Sequence, residues 1–233
     1  FRALVDAGSS VVHVSVASNN IGDEGAVIIA TSLGSLPRLT SLELCDNFIQ
    51  ERGSIAIADA IGGVAPPEEE DGEEVIPVGP LKVLSIDLRG NRSRELGARR
   101  WAEVICNHPD LKFLCLAQNE LGCLTKENFL DLVCAAVTSA SLSVLDLQDN
   151  FPQTSGPGTI TMGPPPADVI EELLAELPAG EFDPAEVRKA VFIRRHRGGG
   201  GGGGGSAEKK GRQPQQGTPS NGVTQRHPKD SPA

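Results

Sequence analysis

Apolar residues recur in a fixed order along most of this chain. Leu39, Leu42 and Leu44 are followed by Asn47 and Ile49, and the same slots are filled one unit earlier by Val11, Val14, Val16, Asn19 and Ile21. Val83, Ile86, Leu88 and Asn91 come next, then Leu111, Leu114, Leu116, Asn119 and Leu121, then Leu142, Leu145, Leu147 and Asn150. The asparagines stand 28, 44, 28 and 31 residues apart. Counted from each asparagine, positions +7, +10, +11 and +14 read Ala26, Ile29, Ala30, Leu33; Ser54, Ile57, Ala58, Ile61; and Ala98, Trp101, Ala102, Ile105. A fourth set, Lys126, Phe129, Leu130, Val133, departs only at its first slot. That spacing is one face of an α-helix. Each unit is therefore predicted to be a short strand, an asparagine-bearing turn and a helix. Gly25, Gly53 and Gly97 stand at +6, where the chain turns tightly or the helix packs close.

Stacking such units has a geometric consequence. Strands sit about 4.8 Å apart, whereas packed helices need about 8–10 Å. The expected fold is α/β, a curved solenoid or horseshoe segment with parallel strands on the concave face and helices on the convex face. Stability would come mainly from nearest-neighbour contacts. The repeat asparagines Asn19, Asn47, Asn91, Asn119 and Asn150 would satisfy backbone groups that the turns leave unpaired.

The pattern L-x-x-L-x-L-x-x-N-x-L is the signature of leucine-rich repeats. Units of 28 residues carrying N-x-I-x-x-x-G-A, best seen in NNIGDEGAVIIATSL (Asn19 to Leu33), resemble the ribonuclease-inhibitor-like subfamily. Ran GTPase-activating proteins and NOD-like receptor repeats resemble the chain in the same way. The likeness covers Val11 to Asn150. It implies a protein-binding solenoid.

Outside that region the character of the chain changes. Residues 1–150 are expected to hold the repeats, with an acidic insertion at 65–80 whose carboxylates are Glu68, Glu69, Glu70, Asp71, Glu73 and Glu74. It reads as a solvated loop tolerated at a helix-to-strand connection, or as a lure for a basic partner. Residues 151–197 read as a proline-rich loop followed by two helices, Asp168–Leu177 and Asp183–Arg195, the second with Asp183 as N-cap and Pro184 at the first position. The pair is expected to cap the last open repeat, or to bind a partner. The end of the second helix is basic (Arg194, Arg195, His196 and Arg197), as a helix C-terminus favours. Residues 198–233 hold an eight-glycine run and a polar tail, expected to be disordered. The chain opens on Phe1 with FRALVDAG, which reads as the end of a preceding helix. The expectation is a piece of a longer protein.

The formal net charge of −10 disfavours nucleic acid as the main ligand. No apolar run reaches 18 residues, so no membrane-spanning helix is expected. The five cysteines, Cys45, Cys106, Cys115, Cys123 and Cys134, include no C-x-x-C pair and read as reduced thiols rather than metal ligands. His13, His108, His196 and His227 are scattered, and no catalytic, Walker, metalloprotease or dinucleotide motif occurs. No cofactor, metal or catalytic residue is expected.

The positions between the apolar residues of each strand point away from the core. Their chemistry is mostly acidic with one aromatic: Glu43, Asp46, Asp87, Arg89, Lys112, Phe113, Asp146 and Asp149. Aromatics beside charges suit protein recognition. The function expected is therefore a monomeric, non-enzymatic, cytoplasmic module that binds a basic or mixed-charge protein through its concave face. The resemblance to Ran GTPase-activating proteins implies an alternative, contact with a small GTPase through Arg92 and Arg94 beside Asn91. The basic tail departs from that family. A scaffold or sensor combining such repeats with other domains, nuclear, cytoskeletal or axonemal, is a third reading.

Overall fold

Each repeat contributes a strand of three residues and then a helix. The computed structural model describes residues 10–64, 79–156, 159–189 and 191–194. In chain order the units are β1 (His13–Ser15) with α1 (Gly22–Leu33), β2 (Ser41–Glu43) with α2 (Glu51–Gly62), β3 (Ser85–Asp87) with α3 (Arg94–Asn107), and β4 (Phe113–Cys115) with α4 (Lys126–Thr138). A fifth strand, β5 (Val144–Asp146), follows. β1 to β5 lie side by side in sequence order, all parallel. Their registers match slot for slot: Val14, Leu42, Ile86, Leu114 and Leu145 form one row across the sheet, every one buried. The residues on either side of that row face the other way and are half-buried or exposed, apart from Cys115. The helices pack their +10, +11 and +14 residues into the same core, with Ala26 and Ala98 joining it at +7.

The asparagines tie neighbouring units together. Asn47 donates from Nδ2 to Leu44 O and Cys45 O in its own turn and to Val16 O in the preceding one, while its Oδ1 accepts from the backbone N–H of Asn19 at 2.8 Å. Asn91 repeats this with Leu88 O, Leu44 O and the N–H groups of Asn47 and Ile49. Asn150 does so with Leu147 O, Leu116 O and the N–H of Asn119. Four of the five asparagines are buried, and Asn19, at the β1 end, is exposed. The residue before each asparagine lies in the left-handed region: Ser18, Asp46, Gly90, Gln118 and Asp149, with φ between 54° and 71°. Gly90 is glycine for a further reason, since a Cβ there would strike the Asp46 carboxylate.

Two details knit the helix layer. Asp23 on α1 accepts from the backbone N–H of Gln50 at 2.7 Å and of Gly53 at 2.9 Å, so it caps α2 from the neighbouring helix. Gly53 makes this approach possible, because a Cβ would collide with Asp23 and Ala26. The glycines at +6 of the second and third units thus serve close packing; Gly97 meets Ser54 and Ser93 in the same manner. Below them runs a buried polar chain. The Trp101 indole donates to Ser54 Oγ at 3.1 Å, Ser54 Oγ to Ser93 Oγ at 2.9 Å, and Ser93 Oγ to Asn119 Oδ1 at 2.7 Å.

Beyond Asn150 the structure departs from expectation in two places. The proline-rich segment is a hairpin, β6 (Phe151–Gly156) with β7 (Thr159–Gly163), rather than a loop. The first predicted helix is present as α5 (Ala167–Glu176). The second starts at the predicted cap, with Asp183 accepting from Ala185 N–H and Pro184 at the first position, but α6 (Pro184–Arg188) stops early. Val191–Ile193 then forms β8, antiparallel to β5, with Phe192 buried opposite Leu145. An open strand edge offers a row of unpaired backbone groups, and β8 satisfies it better than more helix would. The acidic carboxylates Glu68 to Glu74 and the glycine-rich tail lie outside the described residues. No described helix is long and apolar enough to cross a membrane.

At the exit of α3, His108 is buried, and its Nδ1 accepts from Asp110 N–H at 3.1 Å and Leu111 N–H at 3.0 Å. Burial pushes the imidazole below its usual range, against a smaller opposing pull from backbone contacts and Asp110. The folded state therefore keeps His108 neutral, while the unfolded chain takes up a proton near pH 6.5. This stability is present above pH 6.5 and is lost as pH falls below it. Ser139 Oγ makes the equivalent pair of bonds, to Ser141 and Leu142 N–H, at the exit of α4. His108→Ser should accordingly keep the turn while flattening the decline in urea midpoint between pH 7 and 5. An unchanged decline would exclude His108 as its source.

Candidate functional site: the open face of the sheet

The strand residues that flank the buried row build the site. On one side of it Ser15, Glu43, Asp87, Cys115, Asp146 and Val191 stand in register across six strands. Glu43, Asp87 and Asp146 thereby share one row, as the alternation predicts. Asp46 and Asp149 lie on the edge formed by the asparagine turns, after β2 and β5, both exposed. Arg89 and Lys112 are exposed as well, whereas Phe113 is half-buried between Ser85 and Val144.

The electrostatics of the row are set by burial and by Asp87. Burial pushes the thiols of Cys45 and Cys115 up, and the negative charge of Asp87 adds to the rise in both. Both thiols are thereby held in the protonated form, which is a poor nucleophile. Asp87 also accepts from the Arg89 N–H at 2.9 Å and raises the Arg89 guanidinium further. Burial raises the Asp146 carboxyl, opposed by the Gln148 N–H, which donates to its Oδ1 at 3.0 Å. His13 Nε2 lies 3.8 Å from Glu43. Among the described residues no His, Cys, Asp or Glu group has the arrangement of a metal site.

Arg92 and Arg94 do not stand as free cations in their turn. Both pair with Glu120 of the next unit, at 3.1 and 2.8 Å. The Arg92 guanidinium also lies 6.0 Å from the ring centre of Phe48. Phe48, 56% exposed, is the aromatic the sequence reading missed. It occupies the slot just after Asn47 in the left-handed conformation (φ 56°), a slot filled by Asn20 and Glu120 in other units. Its signal was a bulky residue where turn chemistry favours a small polar one. Farther along the same edge, Gln118, Glu120, Asp149 and Met162 line a cavity of about 350 Å³.

Fold and site together define a mixed α/β array of leucine-rich-repeat-like units with an open, mainly acidic sheet face. No protein family matches the chain by its sequence profile. No curated protein matches it either. Solved structures do match in fold. The C-terminal domain of Caenorhabditis elegans tropomodulin superposes with a TM-score of 0.50 at 9% identity, over 75% of this chain and 86% of that one. Leiomodin-1 Actin-Binding Site 2 gives 0.52 at 14% identity, over 75% and 84%. These neighbours correct the subfamily assignment: they are tropomodulin and leiomodin domains, not ribonuclease inhibitors or Ran GTPase-activating proteins. The NOD-like resemblance falls with it, and these neighbours give the small-GTPase reading no support. The repeat motif specifies what a strand, turn and helix need in order to pack, and that requirement is common to every array built this way.

Proposed function

We propose that the chain is a non-enzymatic protein-binding module whose open sheet face docks a protein partner. On this reading the array of residues 1–150 is curved, with the strands inside. Residues 151–197 close its last unit, and residues 198–233 are an appended tail. The observation that carries the proposal is the register-matched row of Glu43, Asp87 and Asp146 on a sheet face that no described element covers. Asp46 and Asp149 extend its charge onto the turn edge, and Arg89, Lys112 and Phe113 give the face its mixed character. Burial penalises the charged form of Asp146, so a partner cation set beside it would favour that form. Complementary charge of this sort selects partners and speeds encounter.

Leiomodin-1 Actin-Binding Site 2 has this fold, which makes actin the first partner to test and a cytoskeletal setting the corresponding location. The measurement is co-sedimentation with filaments and titration of labelled monomer, for the wild type and for Glu43→Gln/Asp87→Asn/Asp146→Asn. The asparagines keep an oxygen for the N–H groups of Arg89 and Gln148, so the turns survive. Capture is expected to weaken about tenfold or more in the variant. Equal capture by both proteins would remove the face from the reading. Capture of neither form of actin by the wild type would remove actin as the partner.

A further inference from the structure

The edge formed by the asparagine turns carries two features that packing does not account for. Phe48 is the first. At φ 56° a bulky residue holds a conformation that costs free energy. Its ring, 56% exposed, recovers little of that cost by burial. Beside it lies the Arg92 guanidinium, 6.0 Å from the ring centre and held by Glu120 at 3.1 Å. One unit earlier the same slot holds Asn20, a residue suited to the left-handed region.

The cavity of about 350 Å³ is the second. Gln118 and Glu120 come from the turn after β4, Asp149 from the turn after β5, and Met162 from β7. Its volume is near the lower limit for ligand sites and suits one long side chain. The two carboxylates on its wall differ. Arg92 and Arg94 pair with the two oxygens of Glu120. Among the described residues Asp149 accepts from the Gln118 amide at 3.3 Å and has no cation paired with it. Burial raises the nearby Asp146 carboxyl, and the charges of Asp87 and Asp149 add to the rise. A cation in the cavity would therefore complete Asp149 and relieve a like-charge contact.

We propose that this edge is a docking groove for an extended segment of a protein partner. A lysine of the segment enters the cavity, and a large apolar side chain four residues away packs on Phe48. The proposal rests on the reading of the chain as a protein-binding module and names the chemistry of one partner segment.

The lining selects lysine over arginine. With one interaction of Asp149 already given to Gln118, a compact ammonium fits better than a fork that wants both carboxylate oxygens. The Gln118 carbonyl supplies a second acceptor, and the Met162 thioether lies where an aliphatic stem would run. Spacing sets the rest. The asparagine bonds stitch adjacent turns together, so successive turns follow the strand spacing of about 4.8 Å. Phe48 stands in the second unit, and the cavity lies between the fourth and the fifth, about 10–14 Å away. An extended chain advances about 3.3 Å per residue and returns to the same side every second residue, so a separation of four residues meets both points.

Met162 is the single methionine of the chain, so an isotope label on its methyl group gives one NMR signal from the cavity wall. The probes are two serine-rich pentapeptides with blocked ends, one with lysine first and leucine fifth, the other reversed. At least one is expected to shift the Met162 signal to saturation. Acetylating its lysine, or replacing its leucine by glycine, should weaken binding about threefold or more. Asp149→Asn, which keeps an oxygen for Gln118, should weaken it about threefold or more. Phe48→Asn should do the same while leaving the urea midpoint unchanged or higher, because asparagine tolerates the left-handed slot. No shift with either peptide, equal binding after acetylation, or a lowered midpoint in Phe48→Asn would overturn the proposal. Spermidine binding as tightly as the peptides would also overturn it, since a bare amine would then be the ligand. Glu43, Asp87 and Asp146 are intact in both variants, so a failure here leaves the acidic row to its own capture test. Peptide binding by a protein that captures no actin would support the groove and assign it another partner.

Discussion

Asn119→Ala is expected to unfold the protein about 3–5 kcal/mol more easily than the wild type, whereas Asn19→Ala should cost under about 1 kcal/mol. The two residues occupy the same slot of their repeats and differ only in surroundings. Asn119 is fully buried; its Nδ2 donates to Leu88 O and Ala117 O, and its Oδ1 accepts from the N–H and Oγ of Ser93. Alanine would leave the N–H and hydroxyl of Ser93 without their acceptor in a place water does not reach, each costing about 1–3 kcal/mol. It would also strip one bond each from Leu88 O and Ala117 O, which keep Asn91 Nδ2 and the Gly90 N–H. Asn19 is exposed, and its described side-chain bonds go to Val16 O and Ala17 O in its own turn, where water can substitute. Urea denaturation of both variants measures the difference. Similar values for the two would mean that the ladder does not cross-link the units.

Trp101→Ala should cost about 3–5 kcal/mol, the range for truncating a large buried aromatic. Trp101 is fully buried at the +10 slot of α3, among the positions taken by Ile29, Ile57 and Phe129 in the other helices. Part of the cost belongs to the polar chain it heads. Ser54→Ala alone would orphan the indole N–H and cost about 1–3 kcal/mol. Trp101→Phe keeps most of the apolar bulk and removes that donor. The double variant Trp101→Phe/Ser54→Ala should therefore lose less than its two components added, by about 1 kcal/mol, when measured as a thermodynamic cycle. Strict additivity would mean that the bond from Trp101 to Ser54 contributes nothing.

The array itself was legible because each unit needs particular residue types at fixed places. A strand three residues long turns only its central side chain toward the helices, and the turn leaves carbonyls that an asparagine amide can reach, so Leu114 and Asn119 announce themselves. The row of Glu43, Asp87 and Asp146 follows from the same alternation. β8 was illegible for the opposite reason. Asp183 and Pro184 are sound helix-start signals, and they do start a helix. Nothing local marks Arg188 as its end, because the competing demand comes from the edge of β5, distant in sequence. The prolines of the hairpin suggested an interrupted chain, although Pro152 lies in β6, a ribbon with edges on both sides where a missing N–H is tolerated. Arg92 and Arg94 looked free because Glu120, their partner, belongs to the next unit. Subfamily was beyond reach of the motif, whose every residue is accounted for by packing.

The asparagine ladder also has a direction. Each amide reaches back to the unit before it: Asn47 to Val16 O, Asn91 to Leu44 O, Asn119 to Leu88 O and Asn150 to Leu116 O. A turn is thus completed only by residues made later. As the polypeptide leaves the ribosome from its N-terminus, the newest turn is always the unfinished one, and every unit added seals its predecessor while exposing its own strand edge. In that sequence of events β8, running against the others, is the piece whose arrival ends the exposure.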